Sequence, residues 1–218
     1  KIREKFGILI FMSIGERPFE TYKKLYNAGA YGALLRFESS NKNIYHALHT
    51  GRELTPRLKL IRQLKQHGFI LATGFMVGLP GETEQDLINN ILLTKAINPD
   101  MFSFGPFILH SCTPLSSQSK VSLSHMLKTI ALTRIVAPDS HILVTSAMET
   151  LDKDAKRAGL LAGANSLMIN TTPEKYAKVY DIYPNKSENE KKTEETIRET
   201  LDLLYSLGRA PTDLSKDK

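Results

Sequence analysis

Cysteine is nearly absent: Cys112 is the one thiol in 218 residues. That excludes an internal disulfide and suits a reducing cytoplasm. One thiolate does not hold an iron–sulfur cluster either, because such clusters take several. No apolar run approaches the ~18 residues of a membrane-spanning helix. A secretory signal is missing too: Phe6–Ile14 leads into Gly15-Glu16-Arg17-Pro18 instead of a small-residue cleavage site. Charge is not concentrated. The net charge of +6 is spread over scattered positions, which favours solubility and attraction for anionic small molecules over nucleic-acid binding. Neither a phosphate-binding P-loop nor a nucleophile elbow is present, and histidines lack the two- or four-residue spacing of metal ligands. His46 and His49, three apart, are the nearest approach to one. No lysine falls on an expected strand, which removes Schiff-base aldolase chemistry. The first residue is Lys1 and not Met, as in a processed chain or a part of a longer one.

What is present is ordinary in amount and regular in order. Apolar residues make up 41% and charged residues 24%, the balance of a soluble globular domain. Phe6–Ile14 reads as a buried parallel strand. Pro18 suits a first helical turn, and Phe19, Tyr22, Leu25 and Tyr26 recur at helical spacing up to Gly29. Tyr31–Phe37 is the next strand, followed by a polar break and a short helix around Ile44–His49. A helix from Thr55-Pro56 to His67-Gly68 precedes the strand Phe69–Leu79. Thr83, with Asp86 three residues on, opens a helix that runs to Ile97. Met101–Ile108, His141–Met148 and Asn165–Asn170 read as strands, with helices Leu123–Val136 and Asp152–Ala162 between them. A short helix through Tyr176 and Tyr180 follows. The last helix runs from about Glu188 to Leu207, before a polar tail.

Strands alternating with helices imply right-handed βαβ units and a parallel sheet. A doubly wound sheet and a barrel share that order, but polar residues at the C-terminal ends of nearly all the strands favour the barrel. The expected fold is therefore α/β: a partial (β/α) TIM-type barrel with about six of the eight units of a closed one. It forms one domain over 1–218, with a C-terminal helix and tail over 186–218.

Residues 30–51, AYGALLRFESSNKNIYHALHTG, organise the rest. An apolar strand delivers Arg36 and Glu38 to its end, two apart and on one face. The guanidinium fork of an arginine suits a carboxylate, and a glutamate can accept two hydroxyl hydrogen bonds, as from a ribose. A salt bridge closing the strand end explains the same pair equally well. Arg57 lies in the helix that follows. Gly74, Gly78 and Gly81 bracket Met76, Leu79 and Pro80. That pattern is either a backbone shelf for a planar ligand or a tight strand-to-helix turn. Thr145 and Ser146, and then Thr171 and Thr172, put hydroxyls at adjacent strand ends, suited to a small polar ligand or to helix capping. Met76 and Met168 line a pocket or pack the core. Tyr180 and Tyr183 stand near the same end.

An ordered set of segments carries a resemblance. Ser13–Pro18 (SIGERP), Leu34–Glu38 (LLRFE), Met76–Gly81 (MVGLPG), Gly105–Ile108 (GPFI), Ala131–Arg134 (ALTR), Pro138–Ser140 (PDS), Ala164-Asn165 and Thr172-Pro173 follow one another along the chain. Together they resemble the radical S-adenosylmethionine (SAM) maturase that helps assemble the active-site cluster of iron-only hydrogenases, a relative of biotin synthase and methylornithine synthase. The resemblance implies a TIM barrel, SAM and a 4Fe–4S cluster. It implies a 5′-deoxyadenosyl radical acting on a small sulfur-containing or iron-bound, cysteine-derived precursor, with other hydrogenase maturation proteins as possible partners. By the same resemblance, Glu38 would hold the ribose hydroxyls, Arg57 the methionine carboxylate, and Arg36 would line the site. Gly74, Met76 and Gly78 would lie near the adenine, and Thr145, Ser146, Met168 and Tyr180 would line the substrate chamber. The family's C-x3-C-x2-C cluster motif and the two barrel units that carry it are not encoded here, so no metal ligand is expected in this chain, and it is expected to be inactive in isolation. Gly32 stands where a substrate-contacting arginine is expected, and Ser146 where a threonine is. A degenerate barrel that binds SAM or a protein partner without catalysis is the alternative, beside another biotin synthase-like or methylornithine synthase-like enzyme.

Overall fold

A computed structural model describes residues 1–173, 176 and 192–212. The elements follow the chain as α1 (Ile2–Phe6), β1 (Phe11–Met12), α2 (Phe19–Asn27), β2 (Gly32–Leu34), α3 (Lys42–Leu48) and α4 (Leu54–Gln66). Next come β3 (Ile70–Thr73), β4 (Met76–Val77), α5 (Glu84–Ile97), β5 (Met101–Ser103), β6 (Gly105–Pro106) and α6 (Leu123–Val136). The last are β7 (His141–Val144), a 3₁₀ turn (Ser146–Thr150), α7 (Ala155–Leu161), β8 (Ser166–Leu167) and α8 (Thr193–Ser206).

Six strands pair in parallel in the order β1-β2-β3-β5-β7-β8, and β4 pairs in parallel with β6 as a second tier above β3 and β5. Every neighbour in the main sheet follows the previous one in the chain, as successive βαβ units require. This is the open, partial barrel that the alternation implied. The core lies between sheet and helices. Tyr22, Ile61, Leu64, Leu71, Phe75, Phe102 and Ile130 are all buried within it. Phe75 stacks on Phe104 with ring centroids 5.0 Å apart, so the second tier rests on an aromatic layer.

Local rules account for the helix ends. Thr83 and Asp86 form a reciprocal capping box at the start of α5, and Asn98, in left-handed conformation, ends it. Ser122 caps α6 through the His125 N–H, and α6 has the bounds its sequence period gave. Gly29 takes a φ of 96° just past α2, the role expected of it.

Strand lengths differ from expectation. The expected strand Phe6–Ile14 is cut to the two residues of β1, and its first residue, Phe6, ends the preceding helix α1. Ile2, Phe6, Ile8 and Phe11 are exposed, while Met12 is buried in the core and Ile10 and Ile14 pack against it, so this apolar run lies at the sheet edge with one side to the core. Phe69–Leu79 and Met101–Ile108 are each broken in two, at Gly74-Phe75 and at Phe104. A Cβ at Gly74 would strike the Ser103 carbonyl, so the two chains come closest where both break. His141–Met148 ends as a strand at Val144 and turns into the 3₁₀ segment. Tyr180, Tyr183 and the expected start of the last helix at Glu188 lie outside the described residues.

Candidate functional site

Glu38 is the centre of the site. Its φ is 69°, in a region that residues with a Cβ rarely occupy, at a cost of roughly 1–2 kcal/mol. The backbone holds it there. Glu38 bridges in parallel to Phe75, and the Met76 N–H donates to the Glu38 carbonyl at 2.8 Å. The carboxylate is 15% exposed and sits between two guanidinium groups, with Arg36 Nε 3.4 Å from Oε2 and Arg57 Nη2 3.6 Å from Oε1. These are ion-pair contacts, too loose to count as hydrogen bonds. Oε2 is buried and has no hydrogen-bond partner among the described residues.

Arg57 is positioned by α4. Its Nε donates to the Arg36 carbonyl and its Nη1 to Glu16 Oε1 at 3.1 Å. Glu16 also accepts from Arg52 Nη1 at 3.1 Å and from the Tyr45 hydroxyl at 3.3 Å. Burial raises the Tyr45 hydroxyl pKa, and the nearby Arg57 guanidinium opposes the shift. Sequence reading gave Glu16 no role beyond its place in the resemblance. Its partners lie 29, 36 and 41 residues away, and no local pattern signals so distant a pairing.

A cavity of about 240 Å³ opens beside this cluster, lined among others by Glu38, Ser39, Tyr45, Met76, Leu79 and Phe107. It is somewhat below the roughly 300–1,000 Å³ of typical ligand pockets. Its walls are mostly apolar, with Glu38 as the charged group. The glycines near it have internal reasons to be glycine. Gly74 packs against the Ser103 carbonyl, and a Cβ at Gly78 (φ 84°) would lie 2.6 Å from Val121 Cβ. His49 stacks on Tyr45 at 4.3 Å, with Nδ1 3.1 Å from the Tyr45 carbonyl. Among the described residues, no group of three or more His, Cys, Asp or Glu is arranged to hold a metal ion, and Cys112 is exposed on a loop.

Thr145, Ser146 and Met168 come together at the ends of β7 and β8. Ser146 Oγ donates to Met168 Sδ at 4.0 Å. Thr145 is 8% exposed, and its Oγ1 is buried with no hydrogen-bond partner among the described residues. A Cβ at Gly105 would lie 2.7 Å from that oxygen, so β6 leaves it just enough room. Thr172, by contrast, folds back on Asn170 Oδ1 at 2.7 Å. At Gly32 a side chain would meet the Phe11 ring at 2.5 Å, so an aromatic ring takes up the place next to that backbone.

Two further residues stand behind the cavity and carried no signal in the sequence. Asn90, wholly buried on α5, accepts from the Ser40 N–H at 2.6 Å. It donates to Glu82 Oε1 at 3.2 Å, and the Gly78 N–H donates to Glu82 Oε2 at 2.7 Å. Burial pushes the Glu82 carboxyl up to about 7, against the hydrogen bonds it receives. Asp86, whose carboxyl is lowered chiefly by its bonds from Thr83, also accepts from Asn41 Nδ2 at 2.9 Å.

Fold and site together define the class. The model of the Biotin and Thiamin Synthesis associated domain matches residues 84–209, and the chain belongs to that family. Among individual relatives, it is 38% identical over 208 residues to the [FeFe] hydrogenase maturase subunit HydE of Thermotoga maritima, covering 95% of this chain and 60% of that protein. It is 28% identical over 180 residues to a biotin synthase of Buchnera aphidicola, covering 78% of this chain and 51% of the enzyme. The fold matches the crystal structure of methylornithine synthase (PylB) with a TM-score of 0.79 at 23% identity, over 99% of this chain and 62% of that one. It matches the maturase HydG from Carboxydothermus hydrogenoformans with a TM-score of 0.75 at 19% identity, over 94% of this chain and 48% of that one. The maturase resemblance read from the ordered motifs is thus the one these relatives bear out. The chain spans about three fifths of the hydrogenase maturase it matches and about half of the biotin synthases.

Proposed function

We propose that the Glu38 cavity binds the adenosyl part of S-adenosylmethionine, and that this chain is the barrel portion of a radical SAM enzyme of [FeFe] hydrogenase maturation. The observation that carries this reading is the Glu38 carboxylate. It is buried at a cavity wall, held by two arginines short of hydrogen bonding, and left with Oε2 free to accept. A ribose, which brings two hydroxyl donors, fits such an acceptor. Met76, Leu79 and Phe107 offer an apolar wall for a purine. Arg57 Nη2, 3.6 Å from Glu38, is the guanidinium nitrogen left to take a ligand carboxylate, with Nε and Nη1 fixed by Arg36 and Glu16. When bound beside a reduced cluster, SAM supplies a 5′-deoxyadenosyl radical. The residues of this chain bind and orient the nucleoside and keep water from the site. Thr145, Ser146 and Met168, with Tyr180 beyond the described residues, form the substrate chamber in this reading, for a small sulfur-containing or iron-bound precursor. The chain is not suited to hold the cluster, because Cys112 is its only thiolate.

Titrating SAM into the purified chain tests the reading by calorimetry. Binding is expected, and Glu38→Gln should weaken it about tenfold through loss of charge-assisted bonds to the ribose. Absence of heat at millimolar SAM would sink it. Reconstitution with iron and sulfide should give no reducible 4Fe–4S signal. The cluster of Arg36, Glu38 and Arg57 also fits a second reading, a binding module without catalysis. In that case SAM would bind this chain, but joining it to a cluster-bearing segment would give no cleavage.

A further inference from the structure

The cavity has two walls made by different strands. One is the segment that follows β2, carrying Glu38 and Ser39. The other is β4 with the turn after it, carrying Met76 and Leu79. Backbone pairing joins them at their base, where the Met76 N–H meets the Glu38 carbonyl. Beyond that point they separate, and two side chains bridge the gap from behind. Ser40 N–H donates to Asn90 Oδ1, Asn90 Nδ2 donates to Glu82 Oε1, and Gly78 N–H donates to Glu82 Oε2.

The direction of these bonds is forced. A backbone N–H can only donate, so Asn90 must turn its oxygen to Ser40 and its amide nitrogen to Glu82. Glu82 then faces a donor on each side, and in its ionised form it accepts with both oxygens. A run that begins and ends on a donor needs one accept-only group and one group that both accepts and donates. We propose that Glu82 and Asn90 are positioning residues that fix the spacing of the two cavity walls, and that the tie requires one carboxylate and one carboxamide, in either order. Its bearing on a nucleoside rests on the reading of the cavity given above. The hydrogen-bond logic of the tie does not.

The order-independence gives the test. Glu82→Gln keeps the shape but places two donors face to face, either at Gly78 or at Asn90. Asn90→Asp places two carboxylates face to face once both are ionised, so all variants are compared above pH 7, where native Glu82 is ionised as well. The double exchange Glu82→Gln with Asn90→Asp restores the run: Ser40 gives to the carboxylate now at position 90, the amide at position 82 gives to its other oxygen, and Gly78 gives to the amide carbonyl. Amide hydrogen exchange at Ser40 and Gly78, read by NMR on the purified chain, reports the tie without any ligand. Calorimetry with S-adenosylhomocysteine reports the wall spacing. Each single exchange should speed amide exchange at Ser40 and Gly78 about tenfold or more and weaken S-adenosylhomocysteine about tenfold. The double exchange should bring both quantities back toward wild type. That recovery is what a generic packing role would not give, since the doubly altered chain differs more from the native one than either single variant. Unchanged protection of both amides in Glu82→Gln would overturn the proposal. So would a double variant no better protected than the singles. If the wild-type chain takes up no S-adenosylhomocysteine, the nucleoside reading fails, and the exchange pattern still decides the tie.

Discussion

The two polar ends of the sheet are built on opposite plans. At the Glu38 end the polar groups are held by protein: Arg57 by the Arg36 carbonyl and Glu16, Ser40 by Asn90, Gly78 by Glu82. One acceptor, Glu38 Oε2, is left over. At the Thr145 end the polar groups are small, neutral and barely engaged, with Ser146 Oγ donating to a thioether and Thr145 Oγ1 without a hydrogen-bond partner among the described residues. A charged site must be preorganised, because an ion out of water costs several kcal/mol unless opposite charge and dipoles surround it. A hydroxyl costs much less to leave waiting. In the proposed reading, the first end takes the nucleoside and the second a substrate that brings its own partners.

That contrast can be broken at its backbone first. Gly74→Ala drives a methyl into the Ser103 carbonyl beneath the bridge that carries Glu38. The effect should be the largest, about 3 kcal/mol or more by chemical denaturation, since backbone cannot rotate away. Next, Arg57→Ala leaves Glu16 and Glu38 facing each other without their shared cation. About 2–3 kcal/mol of stability should be lost, below the range for fully buried pairs because these side chains are 14–21% exposed. Equal stability of Arg57→Ala and wild type would mean the cluster is not preorganised. The Thr145 end should respond with the opposite sign. Thr145→Val removes an unsatisfied buried hydroxyl at constant shape, so thermal unfolding should show no loss and up to about 1 kcal/mol gained.

The smallest effect is that of pH. Glu82 has a carboxyl raised by burial from its ordinary value of 4.5 to about 7. Between those values the folded chain holds a proton that the unfolded chain has released. This group's contribution to stability is therefore full below pH 4.5, declines as pH rises toward 7, and is constant above. Glu82→Gln should flatten the stability profile in that window, measured by denaturant titration at each pH.

Much of this was legible in the chain before any fold was seen. The bounds of α6 came from its period, the capping box of α5 from Thr83 and Asp86, and the parallel order of the strands from their alternation with helices. The pairing of Arg36 with Glu38 was read from a two-residue spacing, and it stands at 3.4 Å although the strand itself stops at Leu34. What the sequence did not reveal was distance across it. Phe6–Ile14 is as apolar as a core strand, yet Phe6, Ile8 and Phe11 are exposed, because burial depends on a neighbour that the run does not name. Glycine at 74 was legible as a break, but not that it faces the Ser103 carbonyl.

By itself the sequence determined the local events: where helices start and stop, which strands follow which, and that an arginine and a glutamate leave β2 together. These are set by contacts within a few residues, where backbone geometry and side-chain spacing suffice. Only the tertiary structure decided that Glu16 meets Arg57, that Glu82 and Asn90 brace the cavity wall, and that the Thr145 hydroxyl has no partner among the described residues. Those depend on which strand ends lie side by side once the core has closed, and a hydrogen bond across 41 or 50 residues leaves no trace in spacing along the chain.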